Sequence, residues 1–163
     1  AYFTRALAVN ETLSLTFLTA ESSGAFATTG WAGISLFENG SERVFLGSPG
    51  GTSSWGIHWH TVDQVTAFSP SITAEPQTAV FEYIFDTGEW TFTVNGQQLG
   101  GTTTSGLAFD QIRIGSDSYN NADIAVSQIS ATAAIPEPAT MAMIVTTMMT
   151  SISVTPRALP RSS

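Results

Sequence analysis

TAVFEYIFDTGEWTFTVNG, residues 78–96, is the stretch from which the fold class follows. In its first half Phe81, Tyr83 and Phe85 fall on one side of an extended chain; Glu82 and Asp86 fall on the other, with Ile84 between them. Successive side chains of a strand point to opposite faces, so a period of two buries one side and wets the other. Thr87-Gly88 turns the chain, after which Trp90, Phe92 and Val94 alternate with Thr91 and Thr93. Asn95-Gly96 ends this second strand with a residue pair that tolerates the left-handed backbone of a tight turn.

Working outward, the same period recurs. Leu13, Leu15 and Phe17 alternate with Ser14 and Thr16. Ile34 and Leu36 follow Gly33 and lead into Glu38-Asn39-Gly40-Ser41, and Val44 and Leu46 lead out. Residues 31–47 are therefore expected to form a hairpin centred on Asn39-Gly40. Ile112 and Ile114 flank Arg113, and the run from Asp123 to Thr132 closes the pattern. Trp90, Phe92, Val94, Ile112 and Ile114 are expected in the core. No stretch before residue 139 keeps an apolar period of 3.6 over three turns. Residues 1–134 thus read as one all-β domain, an antiparallel sandwich of two sheets.

Composition agrees and excludes some functions. Apolar residues make up 42 % of the 163 positions and charged ones 11 %; lysine and cysteine are absent. Thr, Ser, Gly and aromatics fill the difference, which favours strands and turns. Up to Ala134 the chain carries twelve acidic residues against three arginines. A surface this acidic repels phosphate backbones, so nucleic acid is not an expected partner. Without cysteine there is no disulfide framework and no thiolate metal site. The chain starts at Ala1 with neither methionine nor signal peptide, and YFTRALAV reads as the middle of a sheet. The expectation is a processed chain or a fragment lacking its first strands.

Glycan cleavage by general acid and base needs two positioned carboxyl groups, about 5–5.5 Å apart in a retaining enzyme. Glu82 and Asp86 share a face but stand four residues apart, about 13 Å along a strand. Glu89 lies beyond a turn, so no catalytic pair is expected. His58 and His60 flank Trp59 and point to one side; with Asp63 they form either a weak metal site or a polar outer face, and the second reading is preferred. Trp55 and Trp59 offer flat rings for stacking on sugars, yet their alternation favours the sandwich interior. Tyr119 is a third aromatic candidate for glycan contact. It lies in a polar run whose Asp117, Asn120, Asn121 and Asp123 present oxygens of the kind calcium takes. The same run reads as an Asx-rich turn, and that reading is preferred because the spacing matches no calcium loop. Calcium is the one candidate cofactor.

The order of pieces in the second half is more specific than the strand pattern. Tyr-Ile-Phe-Asp (83–86), Gly-Glu-Trp-Thr-Phe-Thr-Val-Asn-Gly (88–96), Phe-Asp-Gln-Ile-Arg-Ile-Gly (109–115) and Asn-Ala-Asp-Ile-Ala-Val-Ser-Gln-Ile (121–129) follow one another. This succession resembles the concanavalin A-like, laminin-G-like jelly roll. The resemblance implies a jelly-roll sandwich, and in some members of that family calcium sits at its rim.

A second resemblance lies at the other end of the chain. Ile-Pro-Glu-Pro-Ala-Thr (135–140) precedes an apolar run, MAMIV (141–145), with Arg157 and Arg161 beyond it. The two prolines hold the backbone extended and deny it helical hydrogen bonds, making an accessible joint. These parts resemble the C-terminal sorting signal of the PEP-CTERM family. The resemblance implies that Pro136, Glu137 and Pro138 are the sorting motif and an exosortase-type processing enzyme the partner. It also implies an exported bacterial protein, at the cell surface or outside it, touching membrane only through residues 135–163. Residues 139–154 are expected to be helical or disordered, with Met141, Met143, Met148 and Met149 outside the core. The function expected from all this is a non-catalytic surface or matrix protein that binds extracellular polysaccharide. The alternatives are a glycan-active hydrolase of the same fold and a purely structural adhesin module.

Overall fold

The computed structural model describes residues 1–19, 31–48, 54–71, 75–116 and 126–134. Ten strands run through them: β1 (Thr12–Thr19), β2 (Ala32–Glu38), β3 (Ser41–Ser48), β4 (Ser54–Trp59), β5 (Gln64–Ser71), β6 (Thr78–Ile84), β7 (Glu89–Val94), β8 (Gln97–Thr102), β9 (Gln111–Ser116) and β10 (Val126–Ala134). Among the described residues there is no helix. The strands form two five-stranded antiparallel sheets, ordered β10-β1-β6-β7-β8 and β5-β4-β3-β2-β9. The tail motif at Pro136, Glu137 and Pro138 and the methionine segment lie outside the described residues.

Both expected Asn-Gly turns are present. Asn39 and Gly40 have φ of 50° and 78°, and Asn95 and Gly96 have 47° and 82°. Paired left-handed residues give a turn whose twist matches that of the flanking strands. The first joins β2 to β3 and the second joins β7 to β8.

Alternation then sets the core. Leu13, Leu15 and Phe17 of β1, Phe81 and Tyr83 of β6, and Trp90, Phe92 and Val94 of β7 are buried from one sheet. Ile34, Leu36, Val44, Leu46, Trp55, Ile57, Trp59 and Ile112 face them from the other. Trp55 and Trp59 span the two layers. The Trp55 ring lies 5.9 Å from Phe17 and 6.0 Å from Phe92; Trp59 lies 5.7 Å from Trp90 and 5.9 Å from Phe81. The Trp55 indole N–H donates to Gln77 Oε1 at 2.9 Å, which settles its polar atom inside the core. With exposures of 0 % and 1 %, neither ring is open to a sugar, so both tryptophans are corrected from candidate glycan contacts to core.

Ile114 departs from expectation in the opposite sense and is 42 % exposed. It shares the inward side with its partner Ile34. However, β9 is the last strand of its sheet among the described residues, and none of them forms a further strand beside Ile114. Period two fixes which side a residue takes, whereas position in the sheet fixes how deeply it is covered.

The first residues line the β9 edge. Tyr2 bridges Gln111, the Ile112 N–H donates to the Ala1 carbonyl at 2.9 Å, and the Leu7 N–H donates to the Phe109 carbonyl at 3.0 Å. Arg5 and the buried Glu11 brace this segment: Arg5 Nη1 donates to Glu11 Oε2 at 2.7 Å and the Ala8 N–H donates to the same oxygen at 2.9 Å. The hydrogen bond from the Arg5 guanidinium holds the Glu11 carboxyl below the usual carboxylate range, against the opposing effect of its burial.

Candidate functional site

The outer face of the second sheet is not a plain polar surface. Its register brings Val65, His58, Phe45, Ser35 and Arg113 into one row across β5, β4, β3, β2 and β9. A neighbouring row holds Gly56, Gly47, Gly33 and Gly115. These glycines leave room for rings to lie down. A Cβ on Gly33 would come within 2.7 Å of the Phe45 ring, and one on Gly115 within 3.3 Å of the Trp31 ring. Phe45 and Trp31 therefore lean over the glycine row and meet edge to face, with centroids 5.9 Å apart.

The result is a depression of about 510 Å³ on this face. Ser35, the small member of its row, forms part of the floor between Phe45 and Phe37. Trp31, 45 % exposed, stands at one side. Arg113 lies across Phe37 with its guanidinium carbon 4.0 Å from the ring centre, and its Nη2 donates to Gln111 Oε1 at 3.2 Å. On the other side His58 and His60 stack with ring centres 4.0 Å apart. Each has its own carboxylate: Asp63 Oδ1 lies 3.3 Å from His58 Nε2, and Glu42 Oε2 lies 3.7 Å from His60 Nε2.

His58 and His60 thus share one face, as their spacing predicts. With Asp63 they do not form a metal site. The two rings stack instead of converging, and the described residues contain no group of three His, Asp or Glu placed to hold a metal. Glu82 and Asp86 serve other ends. Glu82 Oε2 accepts from the Thr91 hydroxyl at 3.2 Å on the outer face of the first sheet. Asp86 Oδ2 accepts from the Asn10 N–H at 2.8 Å in the turn after β6. Tyr119, Asp117, Asn120, Asn121 and Asp123 lie outside the described residues.

Sequence reasoning passed over Trp31, Phe37, Phe45 and Arg113. One signal was there. In the 31–37 run, positions 32, 34 and 36 are the core side, yet Trp31 and Phe37 put large aromatics on the side that should be wet. A strand apolar on both faces needs something over its second face.

No family model matches this chain, and no curated protein matches it. Among solved structures it is similar to a native heptameric SAP-like pentraxin from Limulus polyphemus. The TM-score is 0.51 at 11 % identity, and the match covers 80 % of this chain and 67 % of the pentraxin. The described residues have the concanavalin A-like jelly-roll sandwich fold.

Proposed function

We propose that the chain is a non-catalytic polysaccharide-binding protein of the cell surface or extracellular matrix, and that the depression under Trp31 is its site. The observation that carries this reading is the half-exposed Trp31 ring, propped over Gly115 and against Phe45 beside a polar margin. An apolar ring face takes the C–H face of a sugar, and surrounding hydroxyl, imidazole and guanidinium groups take its hydroxyls. Likeness to a pentraxin bears on the fold alone and names no ligand. The non-catalytic half rests on the lining: Glu42 is the only carboxylate among the described residues that line the depression, and hydrolysis by acid and base takes two.

Retardation in native gels cast with dextran, agarose, alginate, carrageenan or xylan tests the site. Trp31→Ala is expected to weaken retention by about two- to tenfold, on the order of the 0.5–1.5 kcal/mol of an aromatic contact, while the melting temperature stays unchanged. Equal retention of parent and variant would place the site elsewhere. Absence of retention in every gel would overturn the binding reading.

The tail carries the export half of the proposal. Its Pro136-Glu137-Pro138 tripeptide, apolar run and terminal arginines support sorting by an exosortase-type enzyme. In a bacterial host with such an enzyme, and with an export signal fused before Ala1, the chain lacking residues 135–163 is expected in the medium and the intact chain at the surface. The same distribution for both would refute a sorting role.

A further inference from the structure

We infer that the depression is built for an acidic glycan, with Arg113 meeting a carboxylate or sulfate group while the sugar lies on Trp31. This rests on the binding reading above and narrows its ligand class.

The three arginines of the described residues differ in their partners. Arg5 is paired with Glu11, and Arg43 Nη2 lies 2.9 Å from Glu38 Oε2. Arg113 alone among them has no ion pair. It is nonetheless held in place, over the Phe37 ring and tethered to Gln111, so it reaches a ligand with little left to order. A guanidinium so fixed offers a fork of N–H donors that fits the paired oxygens of a carboxylate or sulfate.

The charge of the whole chain makes the placement more telling. At a net charge of −8, a polyanion is repelled by most of the surface. The one unpaired arginine of the described residues lines the same depression as Trp31. His58 and His60 lie on the opposite margin, three strands from Arg113, about 14 Å at the usual strand spacing. Asp63 and Glu42 face these imidazoles. Arg113 faces no carboxylate across the strand ladder, where its partner is Ser35. A neutral glycan would leave its charge unused.

The test compares neutral dextran, uronate-bearing alginate and sulfate-bearing carrageenan against the intact chain, Arg113→Gln and Arg113→Lys, at low and high salt. Binding to alginate or carrageenan is expected to exceed binding to dextran. Arg113→Gln is expected to lose about tenfold to hundredfold on the acidic polymer and much less on dextran, where only hydrogen bonds to neutral hydroxyls go. Arg113→Lys should keep the salt dependence and lose part of the affinity, because a point charge replaces the fork. Preference for alginate or for carrageenan tells carboxylate from sulfate. If dextran binds as well as the acidic polymers and Arg113→Gln changes neither, the acidic-glycan inference falls and the binding reading stands. If nothing binds, both fall.

Discussion

Phe92→Ala is expected to lower unfolding stability by about 3–5 kcal/mol, the range for truncating a fully buried aromatic. Phe92 is 0 % exposed at the middle of β7, between Phe81 of β6 and Leu99 of β8 on its own sheet. From the opposite layer Trp55 and Phe68 approach it to 6.0 and 5.8 Å. Four neighbours on two sheets cannot all close on one methyl group, so a cavity remains. Domains of this size hold roughly 5–15 kcal/mol in total, which leaves the variant near the edge of folding. Urea titration followed by tryptophan fluorescence measures the loss. A value below 1 kcal/mol would mean that β7 presents its other face to the core.

Gly33→Ala is expected to cost about 3 kcal/mol and to damage the binding face as well. A Cβ there would lie 2.2 Å from the Leu46 carbonyl oxygen and 2.7 Å from the Phe45 ring. Rotating a side chain relieves the second clash but not the first, because the oxygen belongs to the backbone of β3. The strands must part, at the cost usual for overpacking. Phe45 is then lifted from its seat and Trp31 loses its edge-to-face neighbour. Denaturation gives the stability and gel retardation the binding. Loss of stability with full retention would show that the wall of the depression does not depend on this close approach.

The fold was largely legible because its signals are local. Asn39-Gly40 and Asn95-Gly96 announce their turns within two residues, and the alternation around Phe92 fixes its face. The same alternation preferred the interior for Trp55 and Trp59, and both are there. Ile114 was misjudged because both isoleucines lie on the edge strand β9, and the chain's first residues pair with it at Gln111 and Ile112, short of Ile114. The depression was not legible. Gly115 and Gly33 stand opposite each other although 82 positions separate them, and Arg113 read as a mere spacer between two isoleucines. Pairing across a sheet makes such a site, and no window of sequence contains it.

The order of the first sheet has a consequence for how the chain assembles. β1 lies between β6 and β10, and Leu13 pairs with Ala133, 120 residues further on. Loops of that length close slowly, and topologies built on them fold slowly. A chain emerging from the ribosome delivers β1 first of the ten described strands and β10 last. Through that interval one side of β1 has no partner, and it gains one only when the polypeptide up to Ala134 is out. The last of the described strands therefore acts as a latch, engaged only after the other nine have been made.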